Sequence, residues 1–158
     1  MSKIEVHGIC CKKIKNMVEY VAKKVIVLMN QPDVFEIAIK FVSPKEIKLL
    51  NKETRGIDKV TDVLSYPSTN LKVGEVFEFT NEFIDLQTED SLVHFGDMAI
   101  CFKQAKKQAK EYGVSVFSEI KKLVIHSMLH LMGYDHIEDV DYEIMQKKEI
   151  ELDQKIKV

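Results

Sequence analysis

Between Cys11 and Met29, apolar side chains recur at Ile14, Met17, Val18, Val21, Val25 and Leu28, with lysines among them. Spacing of three and four residues gathers them on one stripe and predicts an amphipathic helix, which the turn "NQPD" ends. The next stretch, "VFEIAIKFV" (Val34 to Val42), alternates instead and is rich in β-branched and aromatic residues, so it predicts a strand. "SPKE" then opens a short helix: Ser43 is the N-cap, Pro44 the first helical residue, and Glu46 lies three residues after the cap. That helix is expected to run to about Lys52. The loop "ETRGIDK" leads into "VTDVLSYP", a short strand closed by Pro67.

From Ser68 to His94 the pattern weakens. Six acids stand against the single base Lys72, and strand-like "EVFEF" is mixed with polar turns, which predicts a strand plus a long surface excursion. "FGDMAICF" predicts another strand. "KQAKKQAKEYG" then places Phe102, Ala105, Ala109 and Tyr112 on one helical face and Lys103, Lys106, Lys107 and Lys110 on the other. From about Ser115 to Met132 runs a helix whose second half, "LVIHSMLHLM", is apolar nearly all round, the pattern of a buried central helix. A last helix, about Glu138 to Val158, has acids in its first turn and Lys155 and Lys157 near its end, as the helix dipole prefers. Helices and strands mix without regular alternation, so the expected class is α+β with one small sheet.

Length and composition narrow the class little further. A chain of 158 residues predicts one domain, 1–158, able to bury roughly 68–70% of its unfolded surface. The longest apolar run, Val25 to Met29, is too short to span a bilayer, and the opening "MSKIEVHGICCKKIK" lacks the pattern of a signal peptide. Cys10, Cys11 and Cys101 are odd in number and form no C-x-x-C. They are expected to be reduced, buried or half-buried filler in a cytoplasmic protein. A net charge of −2 excludes a uniformly cationic nucleic-acid binder but not a local basic face.

The chemistry concentrates in residues 126–136, "HSMLHLMGYDH", which hold three of the five histidines. Four residues apart on a helix, His126 and His130 share a face. Gly133 suits a left-handed C-terminal cap that reverses the chain and brings His136 to the same point. Three neutral imidazoles with one open position describe a catalytic zinc, since structural zinc sites fill all four positions with protein ligands. Two unpaired imidazoles on a buried face would otherwise be costly. Asp135 either accepts a hydrogen bond from a ligand ring or caps the turn. His7 and His94 have no partner pattern and are expected to be ordinary residues.

The motif resembles that of the YbeY family of bacterial single-strand-specific endoribonucleases, H-G-x-L-H-L-x-G-Y-D-H, with Ser127 in place of the usual glycine. "LLNKETRGIDKVTDVLSYP" (Leu49 to Pro67) resembles the family's L-N-x-x-x-R-x-x-x-x-x-T-D-V-L-S-F-P segment, and "FGDMAI" its L-G-D-I-x-I strand. The resemblance implies a mixed sheet of about four strands packed with about five helices, the zinc-binding helix central. It implies one Zn2+ held by His126, His130 and His136, and a functional role for Arg55. It also implies cleavage of single-stranded RNA in maturation of small-subunit ribosomal RNA and in ribosome quality control, with the small subunit or its proteins as partner and no membrane.

Zinc-ligand spacing of this kind also occurs in metzincin peptidases, which use a glutamate next to the first histidine as general base. Ser127 stands at that position here and cannot accept a proton at neutral pH. Zinc lowers the pKa of a bound water to about 7, or else neutralises a phosphate oxygen while an RNA 2′-hydroxyl attacks. Either route builds negative charge on phosphoryl oxygens, where the paired donors of Arg55 would help. A zinc peptidase and a noncatalytic ribosome-binding factor with a structural zinc remain as alternative classes. The four lysines of "KQAKKQAK" are expected to be a solvated helix face.

Overall fold

The computed structural model describes residues 1–78 and 92–158. Chain order is β1 (Lys3–Gly8), α1 (Lys12–Leu28), β2 (Phe35–Val42), α2 (Pro44–Arg55), β3 (Val63–Pro67), β4 (Val93–Cys101), α3 (Phe102–Tyr112), α4 (Val116–Leu131) and α5 (Asp139–Lys155). The four strands form one mixed sheet in the order β1-β2-β4-β3: β1 and β4 run parallel to β2, and β3 runs antiparallel to β4. Four strands and five helices among the described residues make the predicted α+β architecture.

Membership of the sheet differs from the sequence expectation. The fourth strand is β1, six residues whose brevity hid their alternation. Residues Glu75–Glu78 of "EVFEF" are not a strand, and the rest of the Ser68–His94 excursion from residue 79 to 91 lies outside the described residues. A side chain takes the place of a neighbouring strand there. The Gln31 amide donates to the Glu75 carbonyl at 2.8 Å and accepts from the Phe77 amide at 2.9 Å, while the Phe77 ring packs edge-on against Phe35.

Helix ends follow local chemistry. Ser43 Oγ accepts from the Glu46 amide at 3.1 Å, as the capping pattern predicts. Helix α2 continues one turn past Lys52, because Gly56 takes a left-handed φ of 71° and its amide closes on the Lys52 carbonyl. Arg55 is therefore the last helical residue and not part of a loop. Tyr112 is 64% exposed, so the inner face of α3 is carried by Ala105 and Ala109. Of the cysteines, Cys101 is buried and Cys10 half-buried, whereas Cys11, the N-cap of α1, is exposed and fills nothing.

Helix α4 is the centre. It packs against α1, α3, α5, β3 and β4, and it buries residues on nearly every side, which explains its all-round apolar sequence. Its buried polar residues are engaged. Lys121 Nζ donates to the carbonyls of Asp153 (2.9 Å) and Ile156 (2.7 Å) and pairs with the Asp153 carboxylate at 3.1 Å, fastening the C-terminal end of α5 to α4. No helix among the described residues is long and apolar enough to cross a membrane.

Candidate metal centre

Two features of α4 build the site. The first is the four-residue spacing that sets His126 and His130 side by side, their rings edge-on with centroids 4.5 Å apart. The second is how the helix stops. Gly133 adopts φ 90°, its amide bonds the His130 carbonyl at 3.1 Å, and the Tyr134 amide reaches back to the Leu129 carbonyl at 3.0 Å. That is a Schellman cap, and it turns the chain so that His136 returns over the helix end. Glycine is required there for a second reason: a Cβ would lie 2.0 Å from the Leu71 carbonyl oxygen, since the segment after β3 crosses at that point. The ligand atoms of His126, His130 and His136 all fall within 4.8 Å of one another.

Hydrogen bonds set the ring orientations. His130 Nδ1 lies 2.8 Å from the Tyr134 carbonyl, and His126 Nδ1 meets the Glu149 carboxylate from α5. Both partners are acceptors, so each Nδ1 carries the hydrogen and each Nε2 keeps a lone pair. Those Nε2 atoms face each other at 3.0 Å. Two lone pairs at that distance repel, and a cation between them resolves the conflict where a hydrogen bond cannot. The donor set fits a zinc-type ion on this observation, and the carboxylate–histidine pairing is the support metal-bound imidazoles usually have. Burial, reinforced by neighbouring His126, pushes the His130 pKa down to about 4, which keeps the ring in the neutral, ligating form near pH 7.

The corner opens on a groove of about 620 Å³, whose lining includes all three histidines, Arg55, Asp62, Ser65 and Asp135. Arg55 thus reaches the same groove from α2, exposed and without an ion pair or hydrogen bond among the described residues. Its helix end is braced from below. Buried Asn51 donates to the Lys59 carbonyl at 3.0 Å and holds the loop that follows Arg55.

Of the two roles open for Asp135, the geometry selects the turn cap: its Oδ1 accepts from the Ile137 amide at 3.3 Å. Ser127 is fully buried, and its hydroxyl meets that of Ser65 on β3 at 2.5 Å. It ties the helix to the sheet. His94 and His7 are exposed beside Asp97 and Glu5, outside the groove lining. Lys103, Lys106, Lys107 and Lys110 are exposed on α3 and line neither the groove nor its neighbouring cavity. Sequence reading missed Glu149 and the Tyr134 carbonyl. A backbone oxygen has no sequence signal, and a glutamate 23 residues from its histidine on a charge-rich helix looks like any solvated acid.

Fold and corner together define a small α+β protein with a cluster of three histidines, able to hold a metal ion, on a groove. A family profile described as Endoribonuclease YbeY matches residues 2–157. Proteins named Endoribonuclease YbeY are similar to this chain: one from Clostridium botulinum (strain Kyoto / Type A2) is 38% identical over 154 residues, covering 96% of this chain and 90% of that protein. Another, from Clostridium tetani, is 38% identical over 156 residues with the same coverage. The solution structure of TM1509 from Thermotoga maritima matches 98% of this chain and 87% of its own, with 28% identity and a TM-score of 0.57. The chain belongs to the endoribonuclease YbeY family.

Proposed function

We propose that this protein is a zinc-dependent endoribonuclease, a single domain over residues 1–158, that cuts single-stranded RNA in the cytoplasm during maturation of small-subunit ribosomal RNA and ribosome quality control. One observation carries the reading: three convergent histidines share a groove with an arginine that has no ion pair among the described residues. His126, His130 and His136 hold the ion. Their three neutral nitrogens favour zinc over the oxygen-seeking magnesium or calcium. When bound, the metal supplies Lewis acidity toward a phosphoryl oxygen and activation of water.

The remaining work falls to the chain. Glu149 and the Tyr134 carbonyl keep both Nε2 atoms aimed at one point. Arg55, without an ion pair among the described residues, donates paired hydrogen bonds to phosphoryl oxygens as negative charge grows there. Its place in the lining of the groove that holds the three histidines supports that role.

The peptidase alternative needs a base beside the first histidine, and Ser127 is buried and engaged with Ser65. Its position argues against proteolysis. The deciding experiment incubates protein purified without a nickel column with single-stranded RNA, duplex RNA and casein, each with and without chelator. Cleavage of single-stranded RNA alone, abolished by chelator, is the expected result. Cleavage of casein but not RNA overturns the proposal, and bound zinc with neither activity favours a noncatalytic binding factor.

A further inference from the structure

A second cavity, of about 460 Å³, adjoins the histidine groove and shares Asp62, Val63 and His126 with it as a common wall. It lies between α4 and α5, on the far side of the His126–Glu149 pair. We propose that this cavity is a base pocket: it receives the nucleobase next to the reacting phosphate and prefers one with an amino group at purine C6 or pyrimidine C4, adenine or cytosine, over uracil. The inference rests on the endoribonuclease reading and adds a specificity element to it.

Its size falls within the range of small-molecule sites, about 300–1,000 Å³. Its floor is apolar, with Leu123 and Ile125 buried, and Ile150 stands 52% exposed beside it, an aliphatic surface on which a planar ring can lie. Charge argues against a phosphate there, since the lining carries Asp62, Glu149 and Asp153 against Lys122 alone.

Those acids are not equivalent. Asp62 is spent on the Val63 amide (2.7 Å) and the Gln108 side chain (3.1 Å), whereas Asp153 meets Lys121 through Oδ1 only. Glu149 engages His126 through Oε1 only, and its Oε2 has no partner among the described residues. The carboxamides of Gln146 and Gln154 have none either.

What remains available among the described residues is therefore one oxygen each of Glu149 and Asp153 and two carboxamides around an apolar floor. That set reads the edge of a base: glutamine pairs with adenine through N6 and N7, and a carboxylate accepts from the cytosine N4 amino group. Uracil presents a carbonyl where those bases present an amino group, which sets oxygen against the Glu149 oxygen. Single-stranded RNA offers its bases splayed outward for such reading.

The test uses single-stranded RNA oligonucleotides identical except for one nucleotide, made adenine, cytosine, uracil or abasic, with that nucleotide moved stepwise along the strand. At one position relative to the cut, adenine or cytosine should raise kcat/KM roughly tenfold over uracil or the abasic site. Ile150→Trp, which fills the cavity, and Gln146→Ala should erase that ratio while metal content stays unchanged. Equal cleavage of all four at every position, or a wild-type ratio retained in Ile150→Trp, overturns the pocket and leaves the endoribonuclease reading standing. If the wild type cuts no RNA, that reading fails separately, and saturation-transfer NMR with cytidine decides the pocket. Transfer abolished by Ile150→Trp supports it, whereas absent or unaltered transfer overturns it.

Discussion

The groove has two walls built in opposite ways. On the histidine side, His126 and His130 project from a buried helix, each ring is held by an acceptor on its Nδ1, and a glycine packed against the Leu71 backbone fixes the return of His136. On the other side, Arg55 is exposed at a helix end and, among the described residues, is held through its backbone and the Asn51 brace. Metal binding needs fixed geometry, because an ion tolerates little error in ligand position. A guanidinium that is to follow a moving phosphate would need reach, and a long, exposed side chain supplies it.

The difference is breakable. The largest effect falls on the histidine wall: His130→Ala should lose the metal and stability together, since binding energy is coupled to folding. Equal zinc content in variant and parent, by metal analysis, would remove His130 from the ligand set. Next in size is a pH effect on the metal-free protein. The His130 pKa is lower folded, about 4, than unfolded, near 6.5, so the unfolded state binds more protons between those values. Stability is full above about pH 6.5 and falls as pH drops toward 4, by at most about 3 kcal/mol. Denaturant melts across that range should show the slope in the parent but not in His130→Ala.

Arg55→Ala tests the other wall. Metal content and melting temperature should hold while kcat/KM on single-stranded RNA falls by about 100-fold; unchanged cleavage would assign the arginine no role. Glu149→Ala should weaken metal affinity by about 10- to 100-fold, seen by competition with a chelating dye, without removing a ligand. Smallest is Ser127→Ala, which costs about 1 kcal/mol through the lost bond to Ser65 and should leave RNA cleavage intact. A large loss of cleavage there would mean that the serine pair does more than join helix to sheet.

Much of this design was legible along the chain wherever the cause is local. Helix α1 and strand β2 announced themselves by periodicity, and the Ser43 cap by its neighbours. Errors arose where a long-range partner overrode the local pattern. "EVFEF" has strand composition, yet the amide of Gln31, more than 40 positions away, captures the backbone groups a strand would have offered. Cys11 resembles core filler by residue type, but the start of α1 leaves it facing outward.

By itself the sequence determined the class of fold and the convergence of the three histidines, because helical repeat and a glycine cap act within eleven residues. Tertiary structure alone decided what surrounds that corner. Glu149 comes from 23 residues away to set the His126 tautomer, Ser65 from 62 residues away to anchor Ser127, and the end of α2 brings Arg55 to the opposite wall. The cavity beside them exists only where α4, α5 and the start of β3 meet. Such pairings depend on packing of the whole sheet and helix layer, and no spacing along the chain encodes them.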